Sequence, residues 1–181
     1  AGGNVEGSIV TISASPNSSA ATKITGGYSR SGDATENVVN INADIKGSIH
    51  AAKAQNTSKN NHVNIADGVT VDGSVFGGSC ITAEGNTVTI GKGGVVTGDV
   101  IAGNATGTNR NNIINITGAR VSGTITGGTG ADATGNTLAV HYDPTHTSYA
   151  GDFNGIQKLQ FHLYEGIESE NPTLLNLGVT S

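Results

Sequence analysis

The pattern Asn-x-[Val/Ile/Leu]-x-[Ile/Val] starts at Asn37, Asn61, Asn86, Asn112 and Asn136, and subtracting successive positions gives 24, 25, 26 and 24. A degenerate copy, Ser8-Ile-Val-Thr-Ile12, lies 29 residues before the first. A period this regular is the signature of a repeat architecture, in which each unit buries its apolar face only against its neighbours.

A second pattern alternates with the first: Ile45-Lys-Gly-Ser-Ile-His-Ala-Ala52, Val71-Asp-Gly-Ser-Val-Phe-Gly-Gly78, Val96-Thr-Gly-Asp-Val-Ile-Ala-Gly103 and Val121-Ser-Gly-Thr-Ile-Thr-Gly-Gly128, with a short copy at Ile24-Thr-Gly-Gly27. Both patterns alternate apolar and polar residues, which is the period of a strand with one buried face. Two short strands per unit of about 25 residues, repeated in register, predict an all-β fold: a single-stranded parallel β-helix of five to six coils, right-handed by the crossover rule. A propeller needs about four strands in a longer repeat, and a leucine-rich repeat needs leucines at fixed positions.

Composition agrees with strands and turns. Glycine accounts for 28 of 181 residues, aromatic residues for 4% and charged residues for 13%. The apolar content is mainly Val and Ile, which suit strands, and the Leu, Glu and Lys that favour long helices are scarce. The net charge of −5 with scattered basic residues excludes a nucleic-acid partner, which requires clustered Lys and Arg. Cys80 is the single cysteine, so no internal disulfide forms, and it reads as a small, partly buried side chain. No apolar run reaches the length of a membrane-spanning helix. The chain opens mid-pattern at Ala1-Gly-Gly without an initiator Met and reads as a segment of something longer.

Strand alternation assigns faces. In Asn86-Thr-Val-Thr-Ile90 the Asn, Val and Ile share the inward side. An inward amide without a partner costs a few kcal/mol. Asn37, Asn61, Asn86, Asn112 and Asn136 are therefore expected to stack one per coil, each amide donating to the next carbonyl in a ladder. The alternative, a row of ligands for a metal or sugar, suits them less because aliphatic residues flank every one. In the second strand Val71, Gly73, Val75 and Gly77 face in, and Asp72, Ser74 and Phe76 face out. The period fades after Asn136-Thr-Leu-Ala-Val140, dividing the chain into repeats at 1–140 and a tail at 141–181. The tail holds Tyr142, Tyr149, Phe153, Phe161 and Tyr164, with Leu159, Phe161 and Leu163 alternating as an oily strand; it is expected to cap the exposed edge of the last coil.

Chemistry-bearing constellations are sparse. Asp72 and Asp99 fall on neighbouring coils, offset by two residues, and are the one pair suited to a glycosidase-like or lyase-like site. His141-Tyr-Asp-Pro-Thr-His146 carries three potential metal ligands, but Pro144 and its polar residues make it a solvated loop. Neither a metal nor a cofactor is expected.

Units such as Gly26-Gly-Tyr-Ser-Arg-Ser-Gly-Asp-Ala-Thr-Glu-Asn-Val-Val-Asn-Ile41 and Gly127-Gly-Thr-Gly-Ala-Asp-Ala-Thr-Gly-Asn-Thr-Leu-Ala-Val140 resemble the G-G-x-S-x-x-G-D-A-T-x-N-x-V-x-I repeats of bacterial autotransporter passenger domains. The resemblance covers residues 1 to about 140. It implies export through a type V system, display of the β-helix at the outer membrane on a translocator that these residues do not include, and adhesion. The expected function is thus a non-enzymatic, monomeric, surface-displayed adhesin or stalk segment. It would present loops 13–23, 53–60 and 104–111 to proteins or glycans of host cells, matrix or other bacteria. A carbohydrate-active β-helix enzyme using Asp72 and Asp99 is the second reading, and a purely structural spacer the third.

Overall fold

A computed structural model describes residues 2–15, 21–130, 132–164, 167 and 172–178. Among the described residues there is no α-helix, and 22 short strands, numbered in chain order, form three parallel sheets. The chain is a β-solenoid whose equivalent strands recur about every 25 residues and pair in parallel between adjacent coils.

The second sheet carries the Asn-initiated pattern. Its order is β2 (Ile9–Ile12), β5 (Val38–Ile41), β8 (His62–Ile65), β12 (Thr87–Ile90), β16 (Ile113–Thr117), β19 (Thr137–His141) and β21 (Lys158–His162). At a strand spacing of ~4.8 Å these seven rungs rise roughly 29 Å. The register is unbroken: Val39, Val63, Val88, Ile114 and Leu138 form one continuous row, and Ile41, Ile65, Ile90, Ile116 and Val140 another. All ten side chains are buried. Each contributes on the order of 1.5 to 3 kcal/mol by leaving water.

The third sheet carries the glycine-containing pattern on β3 (Thr22–Tyr28), β6 (Ile45–Lys53), β9 (Thr70–Asp72), β10 (Val75–Cys80), β13 (Val95–Val96), β14 (Val100–Ala105), β17 (Arg120–Gly128), β20 (Ser148–Asn154) and β22 (Leu175–Leu177). Its inward row of Ile49, Val75, Val100 and Ile125 is fully buried. The paired glycines that follow let the chain pass close to the adjacent rung and to the ladder asparagines. A methyl at Gly77 would lie 2.5 Å from the Ala102 carbonyl oxygen, and one at Gly27 2.5 Å from the Asn37 amide carbon.

Each coil also has a third strand that the two sequence patterns did not reveal. The first sheet consists of β1 (Val5–Glu6), β4 (Ala34–Thr35), β7 (Thr57–Lys59), β11 (Thr82–Glu84), β15 (Thr108–Arg110) and β18 (Asp132–Thr134). Segments 53–60 and 104–111, expected as ligand-presenting loops, therefore contain β7 and β15. Of loop 13–23, residues 16–20 lie outside the described residues, and the segment from Thr22 onward begins β3. The inward side chains of this sheet are small: Ala34, Ser58, Ala83 and Asn109 are fully buried.

The tail covers the last repeat by adding a coil. Strand β20 pairs with β17, and β21 pairs with β19 in the same register, setting Leu159 on Leu138 and Phe161 on Val140. Leu138 and Val140 are buried beneath them, while Leu159, Phe161 and Leu163 remain exposed at the end of the stack.

Candidate functional site

Glu36, Asn60, Gly85, Asn111 and Gly135 have φ between 53° and 68°, and each stands immediately before an asparagine of the repeat. This left-handed residue turns the chain sharply from the first sheet into the second and carries the asparagine side chain inward. The asparagines are fully buried. The Nδ2 of Asn37 donates to Oδ1 of Asn61 at 2.8 Å, Asn61 to Asn86 at 2.9 Å, Asn86 to Asn112 at 3.1 Å and Asn112 to Asn136 at 3.0 Å.

Each of those oxygens also accepts the main-chain N–H of the preceding asparagine, at 2.9 to 3.1 Å. The second Nδ2 proton of Asn61, Asn86, Asn112 and Asn136 reaches the carbonyl of Ala34, Ser58, Ala83 and Asn109. The interior rungs Asn86 and Asn112 thus make two donated and two accepted bonds apiece, the full capacity of an amide, and Asn61 shares its two protons among three acceptors, the third being Ser58 Oγ at 3.0 Å. No atom of these three is left for a ligand. At the ends other residues complete the chain: Ser8 N donates to Asn37 Oδ1 at 3.1 Å, and Asn136 N donates to Gln157 Oε1 at 2.9 Å.

Asp72 and Asp99 each bond to a different residue. Asp72 Oδ1 accepts the Thr97 hydroxyl at 2.9 Å, and Asp99 Oδ1 accepts the Thr124 main-chain N–H at 2.9 Å. Both bonds run to the following coil. Asp72 borders a shallow depression with Ser15, Asp44, Ile45, Lys46 and Thr70, and Asp99 is not part of it.

His50, in register with the outward Phe76, is buried and stacked on it with ring centroids 4.3 Å apart. Burial lowers its pKa to about 3, helped by the charges of Lys53 and Lys23, so it is neutral at ordinary pH. Burial also raises the Cys80 thiol to about 11, against weaker opposing hydrogen bonds from Ser58 and Thr82. A thiol so protonated is a poor nucleophile.

In the 141–146 segment Asp143 is buried, and its Oδ1 accepts the Thr145 N–H and hydroxyl and the His146 N–H, while Oδ2 pairs with Lys92 at 3.0 Å. Burial alone would raise this carboxyl; the hydrogen bonds from Thr145, Lys92 and His146 win and hold it well below the usual carboxylate range. His146 sits against Gly93 and Gly118, so the segment clasps the turns of two coils. Among the described residues, no three His, Cys, Asp or Glu side chains form a metal-binding group.

Fold and interior together define a β-solenoid of about 25 residues per coil, held along its axis by a buried amide ladder. No protein-family profile, curated protein or solved structure matches the chain.

Proposed function

We propose that this chain is a rod segment of a secreted bacterial protein of the autotransporter passenger type, displayed at the cell surface. There it acts without catalysis as an adhesin or stalk toward host, matrix or bacterial surface molecules. The observation that carries this reading is the in-register recurrence of the repeat through five successive rungs of one sheet. The residues that recur are spent on making the rod: amides on the ladder, Val and Ile on the core, glycines on close approach. Function is then left to outward positions that the repeat does not constrain.

The two carboxylates proposed for the enzymatic alternative are each held by a different neighbour, which weighs for adhesion over turnover. Binding of the purified chain to cultured cells, immobilised matrix proteins and a glycan array tests the proposal. Saturable binding to a discrete set of ligands is expected. Cleavage of uronate polymers, lost in Asp99→Asn, would replace the adhesin with an enzyme, and binding to nothing in the panel would leave a spacer.

A further inference from the structure

The corner where the third sheet bends toward the first is unlike its counterparts farther along the rod. Tyr28, Lys53, Ser79 and Asn104 occupy the same row on successive coils. The neutral Ser79 and Asn104 show that the coil geometry needs neither a ring nor a charge there. The first three members of this row, Tyr28, Lys53 and Ser79, together with Ser29, Arg30, Ala54 and Gln55, line a depression of about 310 Å³, the small end of the range for ligand sites.

Lys23, Arg30 and Lys53 are three of only nine basic residues in a chain of net charge −5. Among the described residues the ion pairs are Lys59–Glu84, Lys92–Asp143 and His146–Asp143, and none of these three cations takes part. The carboxylate nearest in sequence, Asp33, has Oδ1 occupied by the Thr57 main-chain N–H at 3.0 Å. Burial, then hydrogen bonding and charge from Lys23, push the Lys53 ammonium below its normal pKa. His50, beneath this corner, is neutral and supplies no compensation. An anion would relieve the repulsion between the two ammonium groups. Beside the cations, Tyr28 is 51% exposed, an aromatic ring that no core requirement explains.

We propose that this depression binds an acidic saccharide. Its carboxylate or sulfate is held by Arg30 and Lys53, its ring face lies on Tyr28, and its hydroxyls meet Gln55. The guanidinium offers a planar fork to an oxyanion, and the ammonium a point charge. A sugar ring presents C–H groups to the electron-rich face of an aromatic ring. The opening to solvent suits a few units of a longer chain lying across the corner. This inference rests on the adhesin reading and names the ligand class for it.

The test is calorimetric titration of the whole chain with a uronate oligosaccharide, a sulfated glycosaminoglycan fragment and a neutral glucose oligomer of matched length. The variants are Arg30→Ala, Lys53→Gln and Tyr28→Ala, with Lys158→Ala as a distant control, and binding to cells is measured in parallel. Binding to at least one acidic oligosaccharide and not to the neutral one is expected. It should weaken roughly tenfold in Arg30→Ala and several-fold in Lys53→Gln and Tyr28→Ala, with the control and all thermal midpoints unchanged. The two acidic probes decide between carboxylate and sulfate.

Absence of binding to both acidic probes, unaltered affinity in the Arg30 and Tyr28 variants, or equal affinity for polyglutamate would each overturn the proposal. Cell binding that persists in these variants would sink this site while the adhesin reading stands. Saccharide binding without cell binding would do the reverse.

Discussion

Replacing Asn86 with alanine removes one rung from the middle of the ladder, and the structure shows what is lost. Oδ1 of Asn86 accepts from Asn61 N at 3.1 Å and from Asn61 Nδ2 at 2.9 Å; its Nδ2 donates to Ser58 O at 2.9 Å and to Asn112 Oδ1 at 3.1 Å. After truncation the Asn61 main-chain N–H has no acceptor. The Asn61 amide keeps Ala34 O and Ser58 Oγ, and Asn112 Oδ1 keeps the main-chain N–H of residue 86.

One fully buried donor is thus orphaned and a small cavity opens, at a cost of about 2 to 4 kcal/mol. Asn64 is the matched control, because its amide makes a similar 2.9 Å bond to Asn40 on the exposed face. Asn64→Ala should change stability by less than about 0.5 kcal/mol. Asn86→Asp should be worse than alanine at neutral pH, since an acceptor-only carboxylate would face Ser58 O and Asn112 Oδ1. Denaturant midpoints of the three variants at constant slope are the assay. If Asn86→Ala falls within about 0.5 kcal/mol of Asn64→Ala, the ladder carries no net stability and the reasoning fails.

Other consequences follow from the same geometry. Gly78→Ala drives a methyl into Ser58 Oγ and to 2.9 Å from the Asn86 amide nitrogen, so it should destabilise by about 2 to 4 kcal/mol in the same denaturation assay. Glu36 holds φ at 57°, so Glu36→Gly should gain about 0.5 kcal/mol and Glu36→Val lose 1 or more, read from midpoints. His50 titrates near 6.5 when unfolded and near 3 in the fold. Below pH 6.5 the unfolded chain takes up the proton first, so this stability is present above 6.5 and lost as pH falls toward 3, by up to about 1.4 kcal/mol per pH unit. Melting between pH 7 and 5 should therefore show a shallower fall in His50→Phe than in the parent. Deleting 141–181 strips β20 and β21 from the stack and uncovers Leu138 and Val140, so size-exclusion chromatography should show aggregation; a soluble monomer would contradict that role.

The coil length and the inward rows were legible because Val and Ile repeat at fixed intervals over five units. The first-sheet strands were not, since each is two or three residues long with one small inward side chain such as Ala83 or Ser58. That side chain stands three residues before the ladder asparagine, and this fixed offset is a faint signal that was present. The tail coil was hidden for a related reason. Gln157-Lys-Leu-Gln-Phe161 overlays Asn136-Thr-Leu-Ala-Val140 with Gln in place of Asn, and the 21-residue interval breaks the period. The burial of His50 was not legible because strand alternation gives the side of the sheet but not the neighbours. Outward rings on adjacent rungs, His50 and Phe76, bury one another. The cationic corner escaped the sequence reading because Tyr28, Arg30 and Lys53 come from two different coils and meet only through register.

The account turns on the amides of the repeat being the inner fastening of the rod, which leaves recognition to the outward surface. Hydrogen exchange of the asparagine side-chain NH2 groups, followed by NMR, tests this most directly. The groups of Asn61, Asn86 and Asn112 should be protected for hours, while those of Asn40 and Asn64 on the exposed face exchange at the rate of a free amide. Equal and rapid exchange of all five would mean that the ladder does not exist in solution and that these asparagines face water.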